Sequence, residues 1–246
     1  MKVLNSIPNK RVYRFGIIYT LVLITIAAVA NYFTWGTQFA STIINVLLLI
    51  LTIAMWTALY VPIPIFIKTA NWKLRDFGFV VNKGTIIISL GLALLVLFRL
   101  GVNLQLNYLQ YALIDAVARV GEEVFFRGFI FTLVIKLLQG KQWSSFWAVV
   151  ISSLAFAIVH TQTFLPSNHL TMLDIFISSL LMGVIRYFTG SVLPGIIAHC
   201  AGNAGILGML AGILIYCLFI LINYLLGRTK NKTIETSIEE TRSTLD

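Results

Sequence analysis

Long uncharged apolar runs, separated by short basic segments, set the pattern of this chain. Phe15 to Ile67 contains no charged residue, and neither does Tyr187 to Gly227. A bilayer-spanning helix needs roughly 20 apolar residues, so each run is long enough for about two spans. Because only closed backbone hydrogen bonding survives in lipid, such runs predict helices. The expectation is an all-α fold, a polytopic membrane helix bundle of about eight transmembrane helices.

In order, the spans are predicted over Phe15–Phe33, from about Gln38 to the prolines at 62 and 64, and over Gly84 to about Leu106. Then come Tyr108–Leu138, Trp143–Thr161, Leu170–Tyr187, a short Ser191–Asn203 and finally Ile206–Leu226. Prolines 62 and 64 are expected to stop the second helix. Glycines 202 and 205 mark the break between the last two. Residues 1–226 thus read as a single transmembrane domain. Residues 227–246, rich in Ser, Thr and Glu, read as a polar, disordered cytoplasmic tail. The first run is too long for the core of a cleaved signal peptide. No internal repeat of the kind that builds transporters is visible.

Composition sharpens the class: 59% of the 246 residues are hydrophobic and 11% charged. The net charge of +9 raises the question of nucleic acid, but its distribution answers it. Basic residues lie beside or between the apolar runs, at Arg14, Lys68, Lys83, Lys141, Arg186 and Arg228. That is an orientation signal for a multi-pass cell-membrane protein with both termini cytoplasmic. The expected surroundings are therefore the lipid bilayer, with no nucleic acid partner. Cys200 and Cys217 lie in apolar sequence and read as small core residues.

Against this background Gly121-Glu122-Glu123-Val124-Phe125-Phe126-Arg127-Gly128 is anomalous. Ionisable groups at membrane depth are costly and mark functional positions. Glu123 and Arg127 are four apart, the favourable order for an ion pair on one helix face. Glu122 points about 100° away and is expected to be free of the arginine, a candidate base. Two further polar groups lie in other spans: His160, after Phe156, and the pair His199 and Asn203, four apart on one face. An imidazole and a carboxamide so placed can orient a carbonyl, donate to an oxyanion or ligate a metal. His169, in a loop with Pro166 and Asn168, reads as an exposed residue without a role.

The ordered trio Glu122-Glu123-x-x-x-Arg127, Phe156-x-x-x-His160 and His199-x-x-x-Asn203 resembles the CPBP family of intramembrane proteases. That family includes CAAX prenyl endopeptidases and bacteriocin-processing enzymes. Leu74-Arg75-Asp76-Phe77-Gly78 and Gly190-Ser191-Val192-Leu193-Pro194 resemble stretches that flank its core, so the likeness covers about 74–203. The resemblance implies an endopeptidase in which Glu122, assisted by His160, activates water. His199 and Asn203 would stabilise the oxyanion or help hold the water, and Glu123 with Arg127 would set the geometry of the base. Glu122, His160, His199 and Asn203 could ligate zinc; there is no H-E-x-x-H, and a metal-free glutamate mechanism is equally open.

The expected partner is a membrane-associated peptide or protein substrate, whether a prenylated CAAX-like chain or a leader peptide. The resemblance associates such chains with bacteriocin self-immunity or peptide maturation. Two other classes compete: a non-catalytic immunity or scaffold protein using the same groove, and a small proton-coupled transporter. Orientation is testable at once, on a background lacking Cys200 and Cys217. Thiols introduced at Gln38 and Ser167 should label from outside, and those at Asn71 and Thr229 only after permeabilisation. The reverse pattern would overturn the topology.

Overall fold

In a computed structural model, residues 10–36, 53–100, 109–161 and 171–243 are described, and among them the chain is helical with no strand. The expected loop Gln162–Asn168, His169 and the first half of the second span lie outside these residues. The helices are α1 Lys10–Gly36, α2 Ile53–Thr69, α3 Lys83–Leu100, α4 Leu109–Glu123, α5 Phe131–Leu137, α6 Ser144–Val159, α7 Met172–Thr189 and α8 Leu193–Ser243. A π-helix over Val124–Ile130 joins α4 to α5 without a loop. The expected fourth span is therefore one long rod that changes pitch in its middle.

Three helices, Lys10–Asn31, Met172–Thr189 and Leu193–Ile222, are long and apolar enough to cross a bilayer; Ile53–Thr69, Lys83–Leu95 and Ser144–Val159 are shorter apolar helices. Large side chains face outward along them, as at Leu21, Ile87, Phe188 and Leu214. A water-soluble fold would not leave so continuous an apolar surface. Lipid is the solvent this surface fits.

The break expected at the prolines is present: α2 is interrupted by a turn at Leu59–Val61 and starts again as helix at Pro62. A helix's first turn needs no N–H from its prolines, which explains the tolerance. Asp174 and Thr171 form a reciprocal cap on the first turn of α7. α8 runs as helix to Ser243. The break expected near Gly202 and Gly205 is present: Ala204 and Gly205 leave helical geometry, Gly205 at φ 60°.

The π-helix is the most enclosed element, with every residue from Val124 to Ile130 buried. Phe125 and Phe129 pack into an aromatic group with Phe66, Trp72 and Phe77 (Phe66–Phe129 centroids 4.8 Å apart, Trp72–Phe77 5.3 Å). The short turn Leu74–Phe77 is clamped against this element. Thr132 Oγ1 donates to the Asp76 carbonyl at 2.5 Å, and Arg186 Nη2 donates to the same oxygen at 3.2 Å. Arg186 Nε donates to the Arg127 carbonyl at 3.1 Å. A π-helix disrupts the regular i→i−4 ladder, and Arg186 supplies a donor to one of its carbonyls.

Gly128 is what lets the turn approach. A Cβ there would stand 2.5 Å from the Phe77 carbonyl oxygen, a backbone atom that cannot swing away. Gly128→Ala should therefore cost about 1–3 kcal/mol of stability by overpacking. Thermal unfolding in detergent measures it. An unchanged melting temperature would show that the turn does not press on the π-helix.

Candidate active site

Glu122 and Glu123 close α4, and the π-helix begins immediately after them. Glu123 is the more enclosed, with its side chain 1% exposed, and it meets Arg127 Nη1 at 3.2 Å as the spacing predicts. Arg127 is held on two further sides: Nη2 donates to Ser179 Oγ of α7 at 2.9 Å, and its guanidinium lies 4.0 Å from the Phe156 ring centre. Stacking on an aromatic face partly replaces the hydration a buried cation has lost. The first turn of α8 presses on the same carboxylate. A Cβ on Gly195 would stand 2.5 Å from Glu123 Oε2, so only glycine leaves the space. The positive end of that helix favours a negative neighbour.

His199 stands between the two glutamates. Its Nδ1 is 3.1 Å from Glu123 Oε1 and its Nε2 3.6 Å from Glu122 Oε2. A carboxylate only accepts, so Nδ1–H is the donor to Glu123, and Nε2 is the nitrogen turned toward Glu122. His160, at the end of α6, has Nδ1 2.7 Å from the Phe156 carbonyl. The carbonyl likewise fixes the proton on Nδ1 and leaves Nε2 as the basic nitrogen of the neutral ring. Phe156 packs against His160 at 4.4 Å and His199 at 5.7 Å between ring centres, besides stacking Arg127. One aromatic ring thus sets the place of three polar groups.

A cavity of about 30 Å³ lies beside these groups, lined by Glu122, His160, Phe125, Phe126 and Val159 and walled by α1 and α2. That volume admits a water molecule, which needs about 10–15 Å³. It does not admit a peptide. Asn31 of α1 also lines the cavity and donates to the Val159 carbonyl at 2.6 Å, next to His160. Glu122 Oε2 is buried and has no hydrogen-bond partner among the described residues.

Two expectations need correction. Glu122 is not free of arginine: Arg119 Nη1 meets its Oε1 at 2.7 Å, and Arg119 Nε meets Asp115 Oδ1 at 3.1 Å. The spacing 115, 119, 122 is the sequence signal for this pairing, since residues three and four apart are neighbours on a helix. Asn203 does not join the cluster. It is exposed on the turn before the Ala204–Gly205 break, and no described contact ties it to the glutamates. Ser179 could not have been found from sequence, since a serine 52 residues from Arg127 carries no signal.

The four groups considered for zinc do not fit a metal centre as arranged. Among the described residues no three His, Cys, Asp or Glu side chains converge as ligands. One oxygen of Glu122 is held by Arg119, and His199 Nδ1 is directed at Glu123. A zinc site needs three or four donors about 2.0–2.3 Å from one point.

The three motifs and the buried cluster fall within one region of similarity. Residues 103–205 match the family model described as type II CAAX prenyl endopeptidase Rce1-like. This match over 103–205 supports membership of the CPBP family of intramembrane proteases. No curated protein and no solved structure gives a significant match.

The Glu123–Arg127 pair should dominate local stability. Arg127→Ala strands a carboxylate in an apolar interior and should cost about 3–5 kcal/mol. Glu123→Ala should cost a similar amount for the converse reason. Equal detergent melting temperatures for wild type and Arg127→Ala would show that the pair is not a structural requirement.

Proposed function

We propose that this protein is a CAAX-type endopeptidase that hydrolyses a peptide bond in a membrane-associated chain, with Glu122 as the base that activates water. One observation carries the reading. Glu122 lines a water-sized cavity together with His160, and its Oε2 has no hydrogen-bond partner among the described residues. A base must lie within hydrogen-bonding reach of the proton it takes, and Glu122 is the carboxylate that lines this cavity.

The chemistry then runs as follows. Water between Glu122 Oε2 and His160 Nε2 loses a proton to Glu122 and attacks the peptide carbonyl carbon, forming a tetrahedral oxyanion. His199, oriented by Glu123, stabilises the developing charge and relays the proton to the departing amine. The C–N bond breaks, giving a carboxylic acid and an amine. Arg127 takes no part in the bond changes; it fixes Glu123, and Glu123 fixes His199. Asn203 would assist the oxyanion only with the kink at Ala204 differently set. Because the cavity holds water but no peptide, a substrate must part α1 and α2 to reach the carboxylate. Both termini face the cytoplasm in this reading, which follows from the basic segments.

The family description makes a prenylated CAAX peptide the substrate of first choice. With protein in liposomes and a quenched-fluorescence prenylated CAAX peptide, wild type should cleave. Glu122→Gln, His160→Ala and His199→Ala should each lose about 10²–10⁴-fold, the range general acid–base groups supply. All should insert at normal abundance. Activity should survive chelation, and elemental analysis should find less than one zinc per chain. Near-wild-type cleavage by Glu122→Gln would remove the base assignment, and a stoichiometric, chelator-sensitive zinc would replace the metal-free route.

A further inference from the structure

Glu122 is aimed by a device on its own helix. Asp115, Arg119 and Glu122 stand at positions i, i+4 and i+7 of α4, within about 60° of one another around the helix axis. Asp115 is buried, its side chain 6% exposed, and receives Arg119 Nε at 3.1 Å. Arg119 Nη1 then donates to Glu122 Oε1 at 2.7 Å. A guanidinium is planar and rigid, so holding Nε and Nη1 on two different carboxylates fixes its plane. It also divides the two oxygens of Glu122. Oε1 is anchored, and Oε2 is left without a hydrogen bond among the described residues, 3.6 Å from His199 Nε2.

The charges require such a partner. Two adjacent glutamates face one histidine, and Arg127 is committed to Glu123 and Ser179. Arg119 gives the second carboxylate a cation of its own, so the two are not left to compete for Arg127. A surface ion pair would be worth little, but this one is largely enclosed, with Glu122 13% and Arg119 23% exposed at the side chain.

We propose that Arg119, anchored by Asp115, is the positioning residue that holds Glu122 in its single-oxygen presentation to water. The proposal rests on Glu122 being the base, and it makes Arg119 a determinant of turnover and not of substrate binding.

The test has two arms. In detergent, melting temperatures of wild type, Arg119→Ala, Glu122→Gln and the double variant form a cycle that needs no substrate. Paired residues predict a double variant melting no lower than the worse single one. Additive losses would overturn the pairing. In liposomes with the prenylated CAAX peptide, Arg119→Ala should lower kcat by about 100-fold, the scale of a misplacement near 1 Å, with KM within about threefold. Arg119→Lys should restore part of kcat, because it returns the charge without the two-pronged fork; a purely structural loss would not show that split. A wild-type kcat in Arg119→Ala, or an effect confined to KM, would overturn the proposal while Glu122→Gln stays inactive. Should Arg119→Ala fail to accumulate, Arg119→Lys and Asp115→Asn carry the same comparison, and wild-type kcat in both would overturn it. If wild type cleaves no such peptide, the protease reading of this substrate fails and the melting cycle still decides the pairing.

Discussion

A carboxylate and a guanidinium, 1% and 3% exposed, meet at 3.2 Å in the middle of an apolar helix bundle. Removing both charges from water is expensive, and their attraction repays it only with good geometry and further hydrogen bonds. The neighbouring elements meet that condition. Ser179 of α7 and the Phe156 ring of α6 hold Arg127, while His199 and the bare Cα of Gly195 on α8 crowd Glu123. A buried pair of this kind is a weak source of stability and a strong constraint on arrangement. Four helices must be in register for it to exist.

The π-helix carries that constraint to the turn at Leu74–Phe77. Arg127 sits inside it, so its guanidinium faces the polar cluster while its carbonyl receives Arg186. Arg186 also holds the Asp76 carbonyl, and Gly128 admits the Phe77 carbonyl against the helix. The turn at 74–78 is thereby tied to the segment that carries both glutamates. π-Segments recur at functional sites because one extra residue per turn redirects side chains. Here it follows directly after Glu122 and Glu123.

Electrostatics then separates the two glutamates, although they are adjacent in sequence. Glu123 is consumed by structure: Arg127, His199 and the first turn of α8 surround it. Glu122 has one oxygen on Arg119 and lines a cavity large enough for water. The same residue type is a strut at one position and, in the proposed mechanism, the base at the next. Burial and cation placement make the difference. An intramembrane hydrolase needs this economy, since every unmatched charge in a low-dielectric interior must be offset nearby.

Much of this was legible in the chain itself. Uninterrupted apolar runs dictate helices in lipid, because no other backbone arrangement satisfies its own hydrogen bonds there. The i,i+4 spacing of Glu123 and Arg127 dictates a shared face, and the break at Gly205 follows from its freedom at positive φ. These are local properties, fixed by chemistry within one or two turns. The tertiary structure decided the rest. Nothing in the sequence says that Ser179 meets Arg127, that Arg186 reaches a carbonyl at 127, or that His199 falls between the two glutamates while Asn203 stays outside. Those contacts depend on how separate helices rotate and slide against one another. That is set by summed packing over whole helix faces, which no local spacing encodes.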